Sequence, residues 1–83
     1  MSQRELLIVI AHAHQCEVCR SRLYSEPARV FSGRALTEDE MAVLSRLEPD
    51  DFITPDRLAA AAGVSGEALA GYQDHPLVRL RHF

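Results

Sequence analysis

The sequence predicts an all-α protein: a small bundle of about four helices, with a long N-terminal helix and a helix-turn-helix-like hairpin towards the C-terminus. Two observations carry that expectation. Apolar residues recur at three- and four-residue spacing along four segments, and capping residues stand where three of those segments begin. The chain of 83 residues reads as a single small helical domain. Residues 1–26 form a ligand-bearing helix, 36–73 helical hairpins and 74–83 a tail.

The first helix is expected from about Gln3 to Tyr24. Leu6 to Ala11 is an unbroken apolar run that leaves no side for water, and a stripe through Ile8, His12, Cys16, Cys19 and Leu23 follows the helical period. The β-branched run Ile8-Val9-Ile10 would also suit a buried strand. Pro27 ends the helix or begins a short new piece, and residues 26–34 read as irregular or weakly helical. The next helix starts at Thr37, with Glu40 three residues on to complete a capping box and Leu36 placed to pack on Met41. It ends at Pro49. A third begins at Thr54 with Pro55 in the first turn and stops at Gly63. Ser65 caps a fourth, which carries Ala68, Leu69 and Tyr72. The tail from His75 to Phe83 mixes apolar and basic residues, as a short edge strand or a docking arm would.

Composition excludes some classes of function. An apolar fraction of 47% and a charged fraction of 25% belong to a globular chain, not a disordered one. A domain this small buries only about 60% of its unfolded surface, and such domains often rely on a metal, a disulfide or a partner for stability. The formal net charge of −3 argues against non-specific nucleic-acid binding, which depends on an excess of Lys and Arg. The run Leu6–Ala11 is far short of the ~20 residues that span a bilayer, and it lacks the flanks of a signal peptide. The expected compartment is the cytoplasm, where a pair of cysteines two residues apart is more often a metal or redox site than a structural disulfide.

The chemistry concentrates in His12-Ala-His14-Gln-Cys16-Glu-Val-Cys19, which holds both cysteines and two of the four histidines. Imidazole nitrogens and thiolates are the donors zinc prefers, usually four in a tetrahedron. His12, Cys16 and Cys19 share one face of a helix, but together they span about 10 Å of rise. One ion reaches all three only if the helix breaks near Gln15 or the histidine makes a long reach. Candidates for a fourth ligand are His14, His75 and His82. With no general base in view, zinc would act structurally, tying the first helix to the rest. The plain alternative is that the cysteines are core residues, since free cysteine is among the most buried types.

Two family resemblances bear on this stretch. A histidine, three residues and then Cys-x-x-Cys, followed by Arg20 and Leu23, resembles the zinc-binding anti-sigma factors over about 12 residues. That resemblance implies a helical, zinc-stabilised module which sequesters a transcription factor and releases it when the thiols oxidise. His12, Cys16 and Cys19 would be its ligands. Here no upstream fourth ligand is seen, and the well-capped helix follows the motif instead of preceding it. Over more of the chain, Arg4 to Ala11, the Cys16/Cys19 pair and Gly33 to Met41 run in the order of the alkylhydroperoxidase and carboxymuconolactone decarboxylase family. That likeness implies an oligomeric, all-helical enzyme in which Cys16 and Cys19 act as a catalytic dithiol. Leu23 stands where that family has its catalytic histidine, Glu5 is one residue out of the family's spacing, and only nearby arginines are at hand to lower a thiol pKa.

The segment from Thr54 to Leu69 looks like a helix-turn-helix. Its second helix offers Ser65, Gly66, Glu67, Ala70, Gly71 and Gln73, with no basic residue for phosphates or bases. It therefore reads as a structural hairpin, not a DNA reader. The expectation is a zinc-binding regulatory module with a protein partner. The alternatives are a dithiol enzyme relative, an accessory subunit whose apolar first helix is buried against a larger partner, and a helix-turn-helix DNA binder.

Overall fold

The computed structural model describes residues 3–80, Leu80 by its backbone alone. Among the described residues every regular element is helical: α1 Arg4–Gln15, α2 Glu17–Ser25, α3 Pro27–Phe31, α4 Glu38–Arg46, a 3-10 turn Pro49–Phe52, α5 Pro55–Ala62, α6 Gly66–Tyr72 and α7 Pro76–Leu80. The class is the expected all-α bundle, built from more and shorter pieces than four.

The apolar run explains the architecture. Every residue from Leu6 to Ala13 is buried, so α1 has no solvent side along its middle and must be the helix the others surround. It packs against α2, α6 and α7. Ile8, Val9 and Ile10 are fully enclosed. Their β-branched side chains cost helix propensity of a few tenths of a kcal/mol each, less than the ~2 kcal/mol or so that burying each one contributes.

The long first helix is not continuous. Cys16 takes an extended conformation (φ −118°, ψ 108°) and separates α1 from α2. Its N–H still donates to the His12 carbonyl at 2.8 Å, and its own carbonyl accepts from the Arg20 N–H at 2.9 Å. The chain thus turns within one residue and leaves both helix ends satisfied. Arg20 adds a tether, its guanidinium donating to the Ala13 carbonyl at 3.1 Å and the His14 carbonyl at 3.4 Å. A cation there also suits the negative end of α1.

The other helix starts follow the capping chemistry. Thr37 and Glu40 form the reciprocal box, at 3.0 and 3.1 Å. Thr54 caps α5 and Ser65 caps α6, each accepting from the backbone N–H three residues on. Gly63, at φ 71°, ends α5 in the left-handed conformation that favours glycine. The Val64 N–H reaches back to Ala59 and the Gly63 N–H to Ala60, a Schellman closure.

The weakly helical reading of residues 26–34 takes form as the short helix α3, with Pro27 in its first turn and Val30 buried. Two expectations change. Pro49 stops α4 but also opens the 3-10 turn that buries Phe52. The described part of the tail is neither strand nor free arm: Pro76 begins α7, and Val78 is fully buried. His75 and Pro76 supply a helix start, because the His75 Nδ1 accepts from the Leu77 N–H at 3.1 Å. Phe83 and His82 lie outside the described residues. Among those described, no helix is long and apolar enough to cross a membrane.

Candidate metal centre

The break at Cys16 decides the site. On an unbroken helix the three candidate donors would spread over two turns, whereas the turn folds Cys16 and Cys19 back over the end of α1. One donor atom each from His12, Cys16 and Cys19 then lie within 4.8 Å of one another. A tetrahedral zinc with bonds of about 2.0–2.3 Å asks for donor separations of roughly 3.6–3.8 Å, so side-chain rotation of about an ångström closes the set. No other group of His, Cys, Asp or Glu with this property occurs among the described residues.

Each donor is held by its surroundings. His12 is 3% exposed, the one buried polar residue of the core among the described residues. Its Nδ1 is hydrogen-bonded to the backbone carbonyl of Val78 on α7. A carbonyl only accepts, so Nδ1 carries the proton and Nε2 presents its lone pair towards the cysteines. That is the arrangement by which proteins orient a metal-binding imidazole. His12 Nε2 lies 3.0 Å from the Cys19 sulfur, and Cys19 is buried on the inner face of α2.

Cys16 occupies the N-cap of α2, where its sulfur accepts from the Cys19 backbone N–H at 3.4 Å. This hydrogen bond is the main cause that pulls the Cys16 pKa below its ordinary value. Desolvation opposes it, while the Cys19 side chain, the Val18 N–H and the charge of Arg22 assist. The sequence pointed to arginines as the agents of any thiol activation. In the structure the leading agent is the helix N-terminus, and Arg22 contributes least.

The remaining candidates are placed elsewhere. His14, two residues from His12, is rotated away by the helical period and stays out of the cluster; its Nδ1 is buried without a hydrogen-bond partner among the described residues. His75 caps α7 and lies against the Tyr72 ring at 5.4 Å. His82 lies outside the described residues. Two contributors had no signal in the sequence: the Val78 carbonyl, and Arg79, which with His12, Gln15 and Cys16 lines an open depression of about 270 Å³. Both belong to α7, and nothing local in the sequence ties that helix to residue 12.

The arrangement can do two things chemically. Two thiolates and a neutral imidazole can bind a zinc ion, and a dithiol beside an imidazole can undergo two-electron oxidation. Comparison with family models, with curated proteins and with solved structures gives no match to this chain.

Proposed function

We propose that this chain is a small zinc-binding regulatory module that acts by binding a protein partner, with His12, Cys16 and Cys19 as metal ligands. The observation that carries the reading is the convergence of those three donors at a helix break, with His12 oriented through Nδ1 by the Val78 carbonyl. Zinc would lock α1, α2 and α7 together at the point where the first helix turns. Val18, between the two cysteines, is 62% exposed, so the metal would also fix how an apolar contact residue is presented. The resemblance to zinc-binding anti-sigma factors suggests a transcription factor as the partner.

Oxidation offers a release step. A peroxide would take two electrons from the zinc-bound thiolates, joining Cys16 and Cys19 as a disulfide. With two protons taken up, hydrogen peroxide leaves as two waters, and the zinc loses two of its ligands. The test is elemental analysis of reduced, untagged protein. One zinc per chain in wild type and none in Cys16→Ser is the expected result; a zinc-free wild type overturns the reading.

A second reading has its own observation. His12 stands 3.0 Å from Cys19, so a proton acceptor reaches the dithiol from before the motif, although Leu23 fills the position after it. In a thiol peroxidase, the Cys16 thiolate would attack the peroxide O–O bond, giving a sulfenic acid and the leaving alkoxide. Cys19 would then attack that sulfur, its proton passing through His12 to the sulfenic oxygen, which leaves as water, and a small thiol would reduce the disulfide. Peroxide consumption by zinc-free protein with a reducing thiol is the discriminating assay.

A further inference from the structure

The zinc reading leaves a specific question about the metal's exposed face. His12 and Cys16, two of the three donors, also line the depression of about 270 Å³, together with Gln15 and Arg79 among the described residues. An ion held by the donors therefore has one face towards a recess with room for several waters at about 30 Å³ each. Cys19 is on the buried side, so the recess is the side from which an outside ligand would reach an ion held there.

Charge narrows what would sit there. A zinc ion with two thiolates and a neutral imidazole is electrically neutral. Water as the fourth ligand leaves the site neutral beside the Arg79 guanidinium; a monoanion makes it −1, which Arg79 offsets. Carboxylate oxygens are established zinc ligands, and the flat guanidinium fork matches a carboxylate in two hydrogen bonds. The Gln15 side-chain amide is committed elsewhere, donating to Gln73 Oε1 at 2.8 Å and to the Gln73 carbonyl, so it walls the recess without competing for the anion.

We propose, resting on the zinc reading, that the fourth position of the metal is an open site for a small carboxylate anion, bound through one oxygen to the metal and by Arg79 at the rim. The metal centre would then sense a ligand as well as hold the fold. This separates it from a closed structural zinc, which takes all four ligands from the protein.

The test uses cobalt(II), whose visible bands report coordination where zinc is silent. The reduced full chain is loaded with cobalt and titrated with acetate at constant ionic strength. The expected result is a saturable change in band position and intensity. Arg79→Gln, changed at an exposed side chain, should weaken acetate roughly tenfold, the loss of one charge-assisted contact, with cobalt affinity unchanged. Bound cobalt with a spectrum that acetate does not move overturns this proposal and leaves the zinc reading standing. So does an acetate response that emerges only in His82→Ala, since the tail histidine would then be the fourth ligand. Equal acetate affinity in wild type and Arg79→Gln overturns the role of Arg79. A chain that binds no cobalt overturns both readings together.

Discussion

The molecule contains two helix–turn–helix units, and they turn by different means. Between α5 and α6 the chain uses ordinary parts: Gly63 in the left-handed conformation, a Schellman closure onto Ala59 and Ala60, and Ser65 as N-cap. Between α1 and α2 there is no glycine, proline, serine or threonine. The turn is a single cysteine in extended conformation, which caps α2 with its sulfur at 3.4 Å. Sulfur is a weak acceptor, and serine would cap better. A chain that caps α4, α5 and α6 with Thr37, Thr54 and Ser65 and uses cysteine here has given up some local stability. Such departures from local rules are expected at functional sites.

The largest expected effect tests whether the α1–α2 turn depends on metal. With free zinc a thousandfold above its dissociation constant, binding adds about 4 kcal/mol of stability. For a domain of this size that is roughly 15–30 °C in Tm. Cys19→Ala should lose that increment along with the zinc, and wild type in chelator should melt close to the mutant. If the mutant instead falls equally far below chelated wild type, the buried sulfur is core packing alone and the contrast between the two turns disappears. The α5–α6 unit supplies the control. Leu58→Ala, at a fully buried position on α5, should cost about 3 kcal/mol in thermal or denaturant unfolding, while folded protein keeps one zinc per chain.

Exchanging the caps sharpens the contrast at smaller magnitude. Ser65→Ala removes an ordinary cap and should cost about 1 kcal/mol with zinc content unchanged. Cys16→Ser should do the reverse: no zinc, yet a metal-free protein as stable as chelated wild type, or up to about 1 kcal/mol more stable. Chemical unfolding of wild type, Ser65→Ala and Cys16→Ser in chelator reads both effects at once.

Sequence and structure differ in the same way across the two units. Thr37, Thr54, Ser65 and Gly63 were legible because capping is local: donor and acceptor lie within four residues. His12, Cys16 and Cys19 were legible as a cluster for their chemistry, and helix rise asked for either a break near Gln15 or a long reach from the histidine. The break's actual position at Cys16 was not, because an extended cysteine has no signature as a helix stop. Nor was α7. Residues 76–80 are too few to show a helical period, and their place is set by Val78 burying against α1 and bonding His12, a pairing 66 residues apart in the chain. The acceptor that orients the imidazole and the cation beside the group both come from that segment, so the sequence pointed to the three clustered donors and not to their supports.

The smallest effect concerns the joint between the two units. Tyr24, near the end of α2, donates its hydroxyl to the Leu47 carbonyl at 2.8 Å and meets the Phe52 ring edge-on at 6.5 Å, which ties α2 to the turn that leads into α5. Burial, then the charge of Asp51, raises its pKa above the ordinary phenol value of about 10. The unfolded chain therefore loses this proton first. The joint's contribution is complete below pH ~10 and is lost as pH rises through the folded-state value. Tyr24→Phe should cost about 1 kcal/mol near neutral pH, the worth of one hydrogen bond, and that deficit should shrink as pH climbs past ~10. Metal is a separate matter: the Tyr24 hydroxyl touches neither ligand nor recess, so zinc content should stay at one per chain in the variant. A Tyr24→Phe protein that lost zinc in step with stability would mean that the two units do not turn independently, and that the metal centre is held from the far end of α2 as well as from α7.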